Sequence, residues 1–123
     1  MKEQKNVFGE ELLLCSESPM TGYYRDGTCS TDQTDRGSHT VCVSVDKEFL
    51  AYTAQQGNDL STPMPEFGFP GLKPGDRWCV CASRWHEAYQ AGKAPKVILM
   101  STHERALDII PIEILKKYAI DLV

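Results

Sequence analysis

A chain of 123 residues is long enough for one domain with a real core, and its 41% hydrophobic and 24% charged residues are ordinary for a globular protein. No apolar run approaches the roughly 20 residues that a membrane-crossing helix needs. The net charge of −4 comes with no basic cluster beyond Lys116-Lys117. Nothing here gains from a phosphate backbone, so neither nucleic acid nor a membrane is an expected partner. A small-molecule ligand or a protein partner is the expectation.

The only apolar run near the start is Leu12-Leu13-Leu14, preceded by Glu10 and Glu11. It is too short for a signal-peptide core, which points to a cytoplasmic protein. The five cysteines lie at 15, 29, 42, 79 and 81. An odd count without an export signal argues against a disulfide framework, so reduced thiols are expected.

The first third is rich in turn residues. Pro19 to Gly22 and Arg25-Asp26-Gly27 read as turns. Leu12 to Cys15 and Gly22 to Tyr24 are its only strand-like stretches. The polar run 30–38 is expected on the surface. Thr40 to Val45 is valine-rich and alternating, which predicts a strand. Asp46 can cap a helix over Lys47–Gln56 that buries Phe49 and Leu50 and stops at Gly57.

Residues 58–75 form a long segment rich in proline and glycine. Phe67, Phe69 and Leu72 should anchor it as an ordered, packed loop. Lys73-Pro74-Gly75-Asp76 fits a type II turn, with proline second and glycine third. A strand is expected over 77–81, a helix over 83–90 ending at Gly92, and a strand over 95–100. Ser101 and Glu104 match a capping box. Pro111 suits the first position of a last helix over 112–119. The fold class this predicts is α+β: a single compact domain over 1–123, with a small mixed sheet, flanking helices and the long ordered loop.

Several motifs carry a family resemblance. They are Pro-Met-Thr-Gly-Tyr-Tyr-Arg-Asp-Gly (19–27), Gly-Ser-His-Thr-Val-Cys (37–42), Gly-Asn-Asp-Leu-Ser-Thr-Pro (57–63), Phe-Pro-Gly-Leu-Lys-Pro-Gly-Asp-Arg-Trp-Cys (69–79) and Ala-Ser-Arg-Trp (82–85). Ala-Pro-Lys-Val (94–97) and Thr-His-Glu (102–104) agree with them. Together they resemble domain of unknown function 2237, over about residues 6–121. The resemblance implies a compact, mainly bacterial domain. It implies no activity and no catalytic or ligand residues to carry over.

Candidate chemistry must therefore come from the residues. Cys79 and Cys81 are two apart on a strand, so both thiols face one side. His39 and Cys42 lie on the neighbouring predicted strand. If the strands are adjacent, His39, Cys42, Cys79 and Cys81 offer four soft ligands to zinc. Cys-x-Cys on a straight strand is not a zinc knuckle, however, and buried thiols filling core space is the simpler expectation, with no zinc, no cofactor and no disulfide.

Arg25, Asp59, Asp76 and Arg84 near Trp78 and Trp85 suit a carboxylate or phosphate on a small ligand, or else an ion-paired network that pins the long loop. His39 and His103 are candidate acid–base groups. Ser38 and Ser101 are candidate nucleophiles by proximity alone, and His86 fits an exposed helix face. No nucleophile elbow, phosphate loop or dinucleotide fingerprint is present.

The expected function is a binding module with this Trp/Arg/Asp-lined surface. The alternative is a small enzyme or redox protein using His39, His103 or the Cys79/Cys81 pair. A pocket holding a close Cys–His or His–carboxylate pair would favour the alternative.

Overall fold

The sheet grows around β1 (His39–Ser44), the central strand of the order β2-β1-β3. In this computed structural model residues 4–121 are described, so the two ends of the expected 1–123 domain lie outside the described residues. The interior of β1 is buried on both faces, and its run Thr-Val-Cys-Val suits that position. Val41 and Val43 face the larger core, while Cys42 joins a second cluster on the opposite face. β2 (Arg77–Cys81) pairs with β1 antiparallel, matching Val43 with Trp78 and Cys42 with Cys79. β3 (Lys96–Val97) pairs with the other edge of β1.

The helices cover the larger core. α1 (Lys47–Gln55) starts where the Asp46 carboxylate accepts the Phe49 N–H at 2.7 Å, and it buries Phe49, Leu50 and Thr53. α2 (Ala82–Gln90) follows β2 with no intervening loop and buries Ala82, Trp85 and Ala88. α3 (Ile112–Lys117) sets Leu115 into the same core, with Pro111 at the cap rather than the first helical position. The result is the α+β domain expected from periodicity, with a small antiparallel sheet flanked by helices. Among the described residues, no helix is long and apolar enough to cross a membrane.

Several expectations need correction. The strand expected over 95–100 keeps only two residues. The Asp121 carboxylate accepts the N–H groups of Leu99 and Met100 at 2.8 and 2.9 Å and holds the chain in a 3-10 turn over Leu99–Ser101. The last helix stops at Lys117, not 119, because the chain beyond it pairs with Val97. The Val97 N–H donates to Tyr118 and the Ile120 N–H to Val97. The cap of the 3-10 segment Glu104–Asp108 is His103, not Ser101. Ser101 is engaged elsewhere, donating its hydroxyl to the Leu14 carbonyl at 2.8 Å. In the long loop Phe69 and Leu72 are buried as expected, but Phe67 is 71% exposed and anchors nothing. The turn at 73–76 forms as read: the Asp76 N–H bonds to the Lys73 carbonyl at 3.0 Å, and Gly75 takes a φ of 97°.

The loop-rich front has isolated bridges rather than the strands expected at 12–15 and 22–24. Two disulfides tie it to the sheet: Cys15–Cys42 and Cys29–Cys79, with Cα separations of 5.8 and 5.4 Å. This overturns the expectation of reduced thiols. An odd cysteine count only requires that one thiol be left over, and that thiol is Cys81. The disulfides lie side by side because Cys42 and Cys79 are register partners.

Trp85 joins three elements. It is fully buried, stacks on Tyr89 at 5.8 Å, meets Tyr118 edge-on at 5.3 Å, and donates its Nε1–H to the Pro95 carbonyl at 3.2 Å. Truncation leaves a cavity and an unpaired carbonyl. We expect Trp85→Ala to cost about 3–5 kcal/mol in urea unfolding. A loss below about 1 kcal/mol would show that Trp85 does not organise this packing.

Candidate functional site

Residues 30–38, expected on the surface, fold inward at two points, Thr31 and Asp35. The Asp35 carboxylate has no exposed surface and gathers three donors. Oδ2 accepts the Thr31 hydroxyl and the His39 N–H, both at 2.9 Å. Oδ1 meets His39 Nδ1 at 2.7 Å. The turn that brings Asp35 under His39 closes with the Ser38 N–H on the Asp35 carbonyl, and Ser38 takes the left-handed conformation at φ 50°. A non-glycine residue there is under strain, the kind of cost that functional segments tolerate.

His39 is aligned with Cys81 across the β1–β2 pair, and the register slips between His39 and Val41. A bulge of this kind re-aims side chains at a strand end. Here it leaves the Cys81 sulfur beside the His39 imidazole, both of them against Gly37. Gly37 makes the approach possible. A Cβ at position 37 would lie 2.8 Å from His39 Cε1 and 3.2 Å from Cys81 Sγ, closer than packed atoms stand. Cys81, His39 and Asp35 thus stand in a row from a half-buried free thiol to a buried carboxylate, with His39 hydrogen-bonded to Asp35 and adjacent to Cys81. The His39 pKa is pushed up to about 9. The largest cause is the adjacent Cys81 sulfur. Burial opposes it, and the hydrogen bond to the Asp35 carboxylate adds to it.

The thiol and the imidazole lie in the wall of a cavity of about 360 Å³ beside β2. Tyr23, Trp78 and Phe69 supply aromatic wall, and the exposed Phe67 and Met64 stand at its margin. Tyr23 stacks on His39 with ring centres 6.1 Å apart, and its hydroxyl bonds to Thr34. Tyr24 donates its hydroxyl to Asp32, so two tyrosines clamp the 19–28 turn against the loop that carries Asp35. The Arg25 guanidinium lies 4.8 Å from the centre of the Trp78 ring, and it makes no ion pair among the described residues.

The structure therefore gathers Arg25, His39, Trp78, Cys79 and Cys81 at one cavity and sends the remaining candidates elsewhere. Asp59 accepts the Ser61 N–H and the Thr62 hydroxyl within its own turn, which lowers its pKa. Asp76 accepts the Lys73 N–H and braces the 73–76 turn. Arg84 bonds to the Gln56 carbonyl at 3.0 Å and joins α2 to the end of α1. Trp85 is core. His103 is buried, its Nδ1 accepts the Arg105 N–H at 3.0 Å, and burial lowers its pKa, so it acts as a neutral helix cap. The zinc set His39, Cys42, Cys79 and Cys81 is not assembled, since Cys42 and Cys79 are held in separate disulfides. Reading by residue type missed Asp35 and Tyr23. The spacing Asp-x-x-x-His at 35–39 was the available signal for the first.

A family model matches residues 5–119, almost the whole described chain. The chain belongs to DUF2237, described as an uncharacterized protein conserved in bacteria. No curated protein matches it. Membership in DUF2237 fits the motifs at 19–27, 37–42 and 69–79, which supply the Tyr23 and Arg25 turn, the His39 strand and the Trp78 wall.

The raised His39 pKa has a defined pH consequence. His39 gains its charged form on folding, so this contribution to stability is complete below its ordinary value of 6.5 and is lost as pH rises through about 9. In a proton NMR titration, His39 should have its midpoint near 9 and His103 below the ordinary value. Cys81→Ala should bring the His39 midpoint down, because it removes the largest cause. A midpoint unmoved by that substitution would contradict the assigned pairing.

Proposed function

We propose that this DUF2237 protein is a thiol-dependent enzyme in which Cys81 is the nucleophile. The observation that carries the proposal is the placement of Cys81 beside an Asp35-bound His39 in the wall of one cavity. Asp35 holds Nδ1 of His39, which leaves Nε2 for the sulfur. With His39 in its charged form, the sulfur attacks as the thiolate partner of the imidazolium, and its electron pair forms the bond to the carbonyl carbon of an ester or thioester. The carbon–heteroatom bond then breaks, and the imidazolium returns its proton to the leaving group. Water activated by the same imidazole releases the acyl group from Cys81. Asp35 fixes the ring and supports its positive form, as an orienting carboxylate does in such triads. Cys81 also directly precedes α2, where the helix dipole favours negative charge.

The binding-module reading narrows to one corner of the same site. Arg25 over Trp78 suits an anionic group on a substrate with an apolar body, and Phe67 and Met64 suit that body. The proposed location is the cytoplasm, because a free, half-buried thiol fits a reducing compartment. There the two disulfides would exist only while the thiol pool is oxidised.

Two alkylating probes test the site. Cys81 should react with iodoacetamide faster than a small free thiol at neutral pH. His39→Gln and Asp35→Asn should each slow it by at least about tenfold, and ester hydrolysis should fall by about 10²–10⁴ with His39→Gln and vanish with Cys81→Ala. Arg25→Ala should slow the anionic iodoacetate while sparing iodoacetamide. Ordinary Cys81 reactivity together with no turnover of an ester or thioester panel would sink the enzyme reading. Retained binding of an aromatic carboxylate in Cys81→Ala would then support the binding module alone.

A further inference from the structure

The other four cysteines form a separate buried cluster on the opposite face of the sheet from the larger core, with Ile98 beside them. They come from four places: the turn-rich front at Cys15 and Cys29, β1 at Cys42 and β2 at Cys79. The sulfurs of Cys15, Cys29 and Cys79 all lie within 4.8 Å of one another, although Cys15 is bonded to neither of the others. The Cys42 sulfur is bonded to that of Cys15. Three of the four sulfurs lie around one point, and the bond to Cys15 holds the fourth, that of Cys42, at its edge.

We propose that the reduced protein uses Cys15, Cys29, Cys42 and Cys79 as a tetrathiolate site for one zinc ion. Reduction of each disulfide takes two electrons and two protons from a thiol or phosphine reductant and gives two thiols. Zinc binding then releases the four thiol protons and forms four Zn–S bonds. A tetrahedral site with Zn–S near 2.3 Å sets its sulfurs ~3.8 Å apart. Each former disulfide pair must open to that distance, Cys15 already lies within 4.8 Å of both Cys29 and Cys79, and Cys42 must close on them. Zinc suits the set because soft thiolates select it and a closed four-sulfur site is its usual structural form.

The ligand backbones are held in place independently of the sulfur bonds. The Cys42 N–H donates to the Thr102 hydroxyl at 3.2 Å, and the Cys79 N–H to the Thr21 hydroxyl at 2.8 Å. The Cys15 N–H donates to the Gly27 carbonyl at 2.7 Å. Opening the disulfides therefore leaves these strands and turns with anchors of their own. The metal would do in a reducing compartment what the disulfides do in an oxidising one: fasten the front of the chain to β1 and β2.

The test uses the full chain, reduced with a phosphine and freed of metal with a chelator. Cobalt(II) is added first as a visible probe. One equivalent should give the thiolate charge-transfer and ligand-field bands of tetrahedral sulfur coordination, and one equivalent of zinc should remove them. Cys81→Ala should leave the spectrum unchanged, and Cys15→Ser should abolish or strongly weaken it. Loss of the bands in Cys81→Ala, their full survival in Cys15→Ser, or no stoichiometric binding by the wild type would overturn the proposal. Alkylation of the wild type with N-ethylmaleimide, read by mass, keeps the question answerable if Cys15→Ser fails to fold. Zinc should protect four thiols and leave Cys81 reactive, and a chelator should reverse the protection. Identical labelling with and without zinc would also overturn the proposal. Neither result bears on the esterase test, which depends on Cys81.

Discussion

β1 and β2 pair antiparallel, and the register of that pairing sets what faces what in the rest of the molecule. It puts Cys42 opposite Cys79, so two disulfides to distant parts of the chain end side by side. It also puts His39 opposite Cys81, beyond a slip of the ladder that turns the imidazole to the sulfur. A one-residue change in register would exchange the two faces of β2. Val80 would leave the larger core, Cys79 would lose Cys29, and the thiol of Cys81 would face away from His39. The hydrophobic burial of Val41, Val43 and Val80 on one face guards against that change.

The front of the chain depends on this frame because it has little apolar periodicity of its own. Its buried groups are mostly polar: Asn6, Thr21, Thr31 and Asp35. Each is satisfied through specific hydrogen bonds rather than through area. Asn6 alone accepts the N–H groups of Phe8 and Glu10 and donates to the carbonyls of Glu11 and Met100. Such bonds fix conformation well but contribute modest net stability. The disulfides add restraint where burial is scarce, closing sequence separations of 27 and 50 residues.

This division explains what the sequence disclosed. α1 was legible because Asp46 and Gly57 bracket it, α2 because Gly92 stops it, and β1 because its valines alternate. The end of the chain was misread where local propensity lost to longer-range partners: Asp121 holding Leu99 and Met100, and Tyr118 and Ile120 pairing with Val97. In the site, His39, Cys81, Arg25 and Trp78 stood out by residue type. Asp35 did not, since an acidic residue in a polar run looks solvated until the turn at Ser38 folds it under the histidine. Trp85 misled in the opposite direction, its aromatic surface being spent on Tyr89 and Tyr118 rather than on a cavity.

The treatment of the sheet's two outer strands has a consequence for how the protein meets other chains. On the β3 side, the segment Tyr118–Ile120 already takes up the hydrogen-bonding groups of Val97. On the β2 side, the Thr21 hydroxyl occupies the N–H of Cys79, and the aromatic cavity wall stands alongside. Each border thus has backbone groups already taken from within the chain. Both contacts oppose the addition of an extended peptide as a fourth strand and the joining of two sheets edge to edge. A short three-stranded sheet with valine-rich strands would otherwise be open to such self-association. A side-chain contact at one border and backbone pairing at the other both work against that route, and Lys96 adds a charge to the β3 edge.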